Sequence, residues 1–103
     1  MRVKKNMHIS EEHIVQLKKY FAQQPVLKAY IFGSYAKETE NETSDIDILV
    51  DLDYKNGIGL EFVQMQIDLQ QMFSKNIDLV SSNGVSKYIK PIIDQEKIII
   101  YER

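Results

Sequence analysis

Residues 26–52 read VLKAYIFGSYAKETENETSDIDILVDL, and this stretch decides the fold. Val26 to Phe32 is a short apolar run rich in strand formers. Gly33-Ser34 interrupts it, Tyr35 to Glu38 suits one helical turn, and Thr39 to Thr43 is a polar loop. Asp45 to Leu52 then alternates polar and apolar residues, as a half-buried strand does. Upstream, Ser10 is placed to cap a helix over 11–23, with Glu11 and Glu12 where a helix N-terminus favours negative charge. Ile14, Leu17 and Phe21 recur at helical spacing, and Pro25 closes the segment. Downstream, Asn56-Gly57 marks a turn into a long helix over 60–73. Phe62, Met65, Leu69, Met72 and Phe73 share one side of it, widened by Leu60, Val63 and Ile67. That stripe reads first as core, and its width leaves room for a partner contact. Ile77 to Val80 reads as a third strand, 86–95 as a helix whose boundary Pro91 blurs, and Lys97 to Tyr101 as a fourth strand. The order is α-β-α-β-α-β-α-β, which predicts an α/β (α+β) layered domain, a sheet covered by helices, with the strand order left open.

The composition sets the outer limits. The 103 residues predict a single domain over 1–103. Hydrophobic residues make up 44% and charged residues 27%, an ordinary globular balance that excludes a disordered or collagen-like chain. Thirteen basic against fifteen acidic residues leave a net charge of −2, which argues against nucleic acid as a partner. Cysteine is absent, so disulfides, thiolate nucleophiles and cysteine-based zinc sites are excluded. No apolar run approaches the ~18 residues of a membrane span, and no signal-peptide pattern opens the sequence. The expectation is a cytoplasmic protein.

Two adjacent features carry chemistry. Gly33-Ser34 follows a strand and precedes a helical turn; glycine lets the backbone approach a ligand, and the following amides and the Ser34 hydroxyl suit a phosphate. Alone, such a pair is more often a plain turn. Ser44-Asp45-Ile46-Asp47 is the second feature. In a strand, residues 45 and 47 share a face about 6.6–7 Å apart, while Ile46, Ile48 and Val50 point into a core. Paired carboxylates repel unless a cation lies between them, and Mg²⁺ prefers such oxygen ligands. Two Mg²⁺ ions about 3.5–4 Å apart can stabilise an in-line phosphoryl displacement. The bland alternative is a strand with a wet acidic face, since Asp51 and Asp53 continue the odd-numbered series. Asp78 weighs against it. It sits within the apolar run IDLV, where a charge is costly unless paired or bound to a cation. A third strand beside the second would bring all three carboxylates together, with Asp78 placed to ligate a metal and act as general base.

Gly33-Ser34-Tyr35-Ala36, eleven positions from Gly33 to Ser44-Asp45-Ile46-Asp47, and Asp78 in a later hydrophobic strand resemble the minimal nucleotidyltransferases of the DNA polymerase β superfamily. The resemblance spans about Val26 to Tyr101. It implies a nucleotidyltransferase fold, a mixed β-sheet flanked by helices, with ATP as substrate and Mg²⁺ as cofactor. It implies Asp45, Asp47 and Asp78 as catalytic and metal-binding residues, and Gly33, Ser34 and Ser44 at the nucleotide. Lys37, Lys87 and Lys90 are candidates for the triphosphate, each with a solvated surface role as the alternative, and Lys37 lies nearest the motif. One position departs from the family pattern: Glu38 stands where its second glycine falls.

About 100 residues hold little more than a catalytic core, so the acceptor is expected on another chain. Minimal members of the resembled family act as antitoxins that adenylylate a tyrosine of a HEPN-type toxin. The resemblance therefore implies AMP transfer from ATP to such a partner, in a hetero-oligomer. The alternative is a non-catalytic module that neutralises its partner by covering it.

Overall fold

The computed structural model describes residues 9–37, 45–55 and 57–103. Its elements are α1 (Glu11–Phe21), β1 (Val26–Phe32), α2 (Ser34–Lys37), β2 (Ile46–Leu52), α3 (Glu61–Phe73), β3 (Ile77–Ser81), α4 (Lys90–Glu96) and β4 (Ile98–Glu102), with a 3₁₀ turn at Ser82–Gly84. The α/β alternation read from the sequence is present.

Local chemistry accounts for the boundaries. The Ser10 hydroxyl accepts the His13 N–H at 3.1 Å and so satisfies one of the free donors at the start of α1. Pro91 does not break α4. It occupies the first turn, where its missing N–H has no partner to lose, and this moves the helix start from 86 to Lys90. The residues before it form turns closed by the Ser86 hydroxyl, which accepts from the N–H groups of Tyr88 and Ile89.

The four strands form one mixed sheet in the order β3-β2-β1-β4. β1 pairs antiparallel with β2 and β4, while β2 and β3 run parallel. The even-numbered side chains of β2 enter the main core with Val26, Ala29 and Ile31 of β1, Leu17 and Phe21 of α1, and Met65 and Leu69 of α3. Leu17, Phe21, Met65 and Leu69 are completely buried, worth roughly 1.5–3 kcal/mol each by transfer from water. Tyr20 of α1 donates to Asp68 of α3 at 2.7 Å and ties the two helices over this face. Burial and Asp68 push the Tyr20 hydroxyl above its usual range, so it stays a donor.

The opposite face carries the odd-numbered residues of β2. Leu49 and Ile93 are buried but lie outside the main core, and both line a cavity of about 230 Å³ with Asp51, Asn83, Lys90 and Lys97. Since β3 and β4 lie at opposite edges, the chain between them crosses the sheet, and α4 makes that crossing over Leu49. The stretch of this face carrying Asp47 and Asp78 is the part that matters for function.

Candidate active site

Asp47 and Asp78 are direct partners across the parallel β2–β3 ladder. Neighbouring strands run about 4.7–4.9 Å apart, and residues in register point to the same face, so the two carboxylates stand side by side. Asp45 lies one residue before β2 and is exposed. Its charge and that of Asp78 both act on Asp47. Burial first, then Asp78, then Asp45 push the Asp47 carboxyl up to about 6. The three acids picked from the sequence therefore share one electrostatic neighbourhood. Among the described residues, no set of three acidic or histidine side chains already stands at metal-holding distances. Asp45 and Asp78 are exposed and keep rotamer freedom.

Gly33 closes the site from the β1 side. Phe32 pairs with Asp47 across β1 and β2, which brings the next residue against the acid. Gly33 adopts φ +75°, a left-handed conformation that disfavours any side chain. A Cβ at this position would also overlap the Asp47 carboxylate, falling 3.0 Å from its Cγ. The glycine is thus required twice, by the turn and by the acid beside it. Ser34 opens α2, and the Lys37 N–H donates back to the Gly33 carbonyl at 3.0 Å.

The basic candidates are engaged with other partners. Lys37 is paired with Glu96 of α4 at 3.5 Å. Lys90 pairs with Asp94 at 3.1 Å, and the Lys87 ammonium lies 5.5 Å from the Tyr88 ring centroid. Ser44 and Glu38 lie outside the described residues. Asp51, from the same odd-numbered series as Asp47, accepts from the Tyr30 hydroxyl at 3.4 Å. Asp53 leaves the series and pairs with Arg103 at 2.7 Å. Gln66, which the sequence did not single out, lies on α3 directly behind Asp78.

A strand-borne pair of acids in lateral register, a third acid just before it, and a glycine corner pressed against Asp47 thus stand together on one face of the sheet. The chain belongs to the polymerase beta nucleotidyltransferase family, whose model matches residues 15–103. A Methanocaldococcus jannaschii chain that carries the provisional name protein adenylyltransferase is 36% identical over 73 residues, covering 71% of this chain and 77% of its own length. Among solved structures, a toxin–antitoxin with AMP-PNP superposes with a TM-score of 0.71 at 19% identity, covering 91% of this chain and 75% of its own. The complex of a tri-AMPylated Shewanella oneidensis HEPN toxin with its MNT antitoxin gives a TM-score of 0.62 at 19% identity, covering 90% and 70%. At these identities the two structures establish the fold. Enzymes of this family generally use a divalent metal. Among the described residues, no helix is long and apolar enough to cross a membrane.

Proposed function

We propose that this chain transfers AMP from ATP to the tyrosine hydroxyl of a HEPN-type toxin partner, as the antitoxin of a toxin–antitoxin pair in the cytoplasm. The observation that carries the reading is the register of Asp47 with Asp78 beside Asp45, against the Gly33 corner. The names and contents of the relatives and solved complexes give it its donor and acceptor.

The carboxylate set fits a hard divalent cation. Three negative oxygen donors gather about a half-buried position, where burial first, and then the charges of Asp78 and Asp45, raise the Asp47 pKa. We assign the ion as Mg²⁺, held by Asp45, Asp47 and Asp78. When bound, it neutralises charge on the phosphates during transfer. The chain's own residues do the rest. The Gly33 corner and the Ser34 and Ser44 hydroxyls receive the triphosphate. Lys37 reaches it once released from Glu96. Asp78 accepts the proton of the acceptor hydroxyl as its oxygen attacks the α-phosphorus. The new O–P bond forms, the bond to the β-phosphate oxygen breaks, and pyrophosphate leaves. Catalysis is then mainly positioning and charge placement.

The test is intact-mass analysis of the co-purified partner after incubation with Mg-ATP. A gain of AMP that disappears with Asp78→Asn supports the transferase. Tight association with no gain in mass supports instead the covering module, the reading that Glu38 at the family's glycine position favours. In parallel, Asp45→Asn with Asp47→Asn is expected to abolish Mg-ATP binding, measured by calorimetry. Wild-type affinity in that double variant would remove the metal site from the account.

A further inference from the structure

β3 is an edge strand, hydrogen-bonded to β2 on one side only. In a parallel ladder the residue that pairs inward alternates with residues whose backbone groups point outward. The outward groups on either side of Asp78 are the Ile77 carbonyl and the Leu79 N–H. Both are taken by one side chain. The Gln66 Nε2 donates to the Ile77 carbonyl, and the Leu79 N–H donates to the Gln66 Oε1 at 3.3 Å. The second Nε2 hydrogen goes to the Gln70 Oε1 at 2.9 Å, one helical turn further along α3. An amide has two donors and one principal acceptor, and here all are used. The arrangement also fixes which end of the amide is nitrogen, since only that end can serve two carbonyl oxygens.

The amide of Gln66 therefore does for residue 78 what a further strand would do. It brackets Asp78 from outside while β2 holds it from inside, so the backbone of that one residue is clamped on both edges. Asp78 is exposed and its side chain is free to turn, which makes the backbone the only part of it the fold can aim. Edge strands left open also fray and invite wrong pairing, and this clamp closes the edge where the acid sits.

We propose that Gln66 is the positioning residue for Asp78, with Gln70 orienting it. The inference rests on the transferase reading, since it gives Asp78 a task that positioning can serve. Gln66 touches neither nucleotide nor acceptor and acts through the strand. Side chains that hydrogen-bond a metal ligand directly typically cost 10–100-fold in activity when removed, and Gln66, which acts one step further out through the backbone, belongs at the lower end of that range.

The experiment compares Gln66→Met, Asp78→Asn and the double variant in the full chain with its acceptor partner. Methionine keeps length and helix propensity while removing both strand contacts. The expected result is a fall in kcat of about tenfold or more with KM for ATP near wild type. Asp78→Asn removes the gain of AMP on the time scale of the wild-type assay, so its residual rate is read over incubations long enough to accumulate product, and adding Gln66→Met is expected to lower that rate no further, because the residue being aimed has already lost its function. Amide exchange at Leu79 should quicken in Gln66→Met. Should that variant not fold, Gln66→Glu keeps the acceptor for Leu79, and the same cycle is run with it. Unchanged kcat in a folded variant overturns the proposal. So does an additive loss in the double variant, since a merely structural role lowers the rate whatever stands at 78. Transfer that Asp78→Asn leaves intact overturns the role of Asp78 itself, and the transferase chemistry assigned to it, independently of Gln66.

Discussion

Asp47 sets function against stability. Its carboxyl is pushed up to about 6 by burial and by Asp78 and Asp45. An aspartate in an unfolded chain titrates near ~3.9, so the folded state holds this proton more tightly. Such a group stabilises the fold below the unfolded pKa, and the contribution is lost as pH rises through about 6. In chelator, the wild type should lose stability from this group between pH 4 and 7. Asp47→Asn is nearly isosteric and carries no charge, so it should flatten the profile. At pH 7 it should stabilise the metal-free protein by about 1–2 kcal/mol once solvent screening is allowed for. Denaturant midpoints at pH 5 and 7 measure this, and a destabilised variant at pH 7 contradicts it. Gly33 answers to the same acid. Gly33→Ala meets both a left-handed φ and the Asp47 carboxylate, and should cost about 2 kcal/mol or more by thermal unfolding. In an Asp47→Ala background the clash with the carboxylate disappears, so the same substitution should cost measurably less. Equal costs in both backgrounds leave the backbone conformation as the whole reason for the glycine.

Elements were legible where their signals are local. Ser10, the 3.6-residue spacing of Ile14, Leu17 and Phe21, and the alternation of 46–52 each act within a few residues, and α1 and β2 follow them. The Asp45, Asp47 and Gly33 parts of the candidate site were legible for the same reason, as neighbours in a motif. Gln66 was not. A glutamine on a helix looks like any solvated side chain, and its partners are backbone groups eleven and thirteen residues later. The tie between α2 and α4 was equally invisible, because Lys37 and Glu96 meet only after the chain has crossed the sheet. That tie makes its own prediction. Lys37 is more than half exposed, and an ion pair of this kind contributes only about 0–1 kcal/mol, so it is easily exchanged for a better anion. Glu96→Gln removes the competitor. Affinity for Mg-tripolyphosphate should rise by about two- to fivefold, measured by calorimetry at low salt. An unchanged constant places Lys37 outside the phosphate path.

At the scale of the molecule, the strand order is what alternation alone leaves open, since many α/β arrangements share the same run of elements. One residue pointed toward the answer: an acid inside the apolar run of β3 makes sense beside the acids of β2, and the order β3-β2-β1-β4 puts it there. The same global arrangement narrows the stripe on α3. Read along the helix, Leu60, Val63 and Ile67 extend the apolar side. The sheet, however, can cover only the arc that faces it, where Met65 and Leu69 are fully buried and Phe62, Met72 and Phe73 partly so. Leu60, Val63 and Ile67 stay outside it, exposed by 81%, 54% and 42%. The two halves of the stripe should therefore respond to substitution differently. Met65→Ala leaves a void beneath the sheet and should cost about 2–5 kcal/mol of unfolding free energy. Val63→Lys changes a solvated position two residues earlier, on the other side of the helix, and should stay within about 0.5 kcal/mol. Denaturant titration of both variants decides the matter. A large loss at Val63 would mean that the isolated chain already buries this face, whereas a small one leaves the apolar side of α3 outside the folding core.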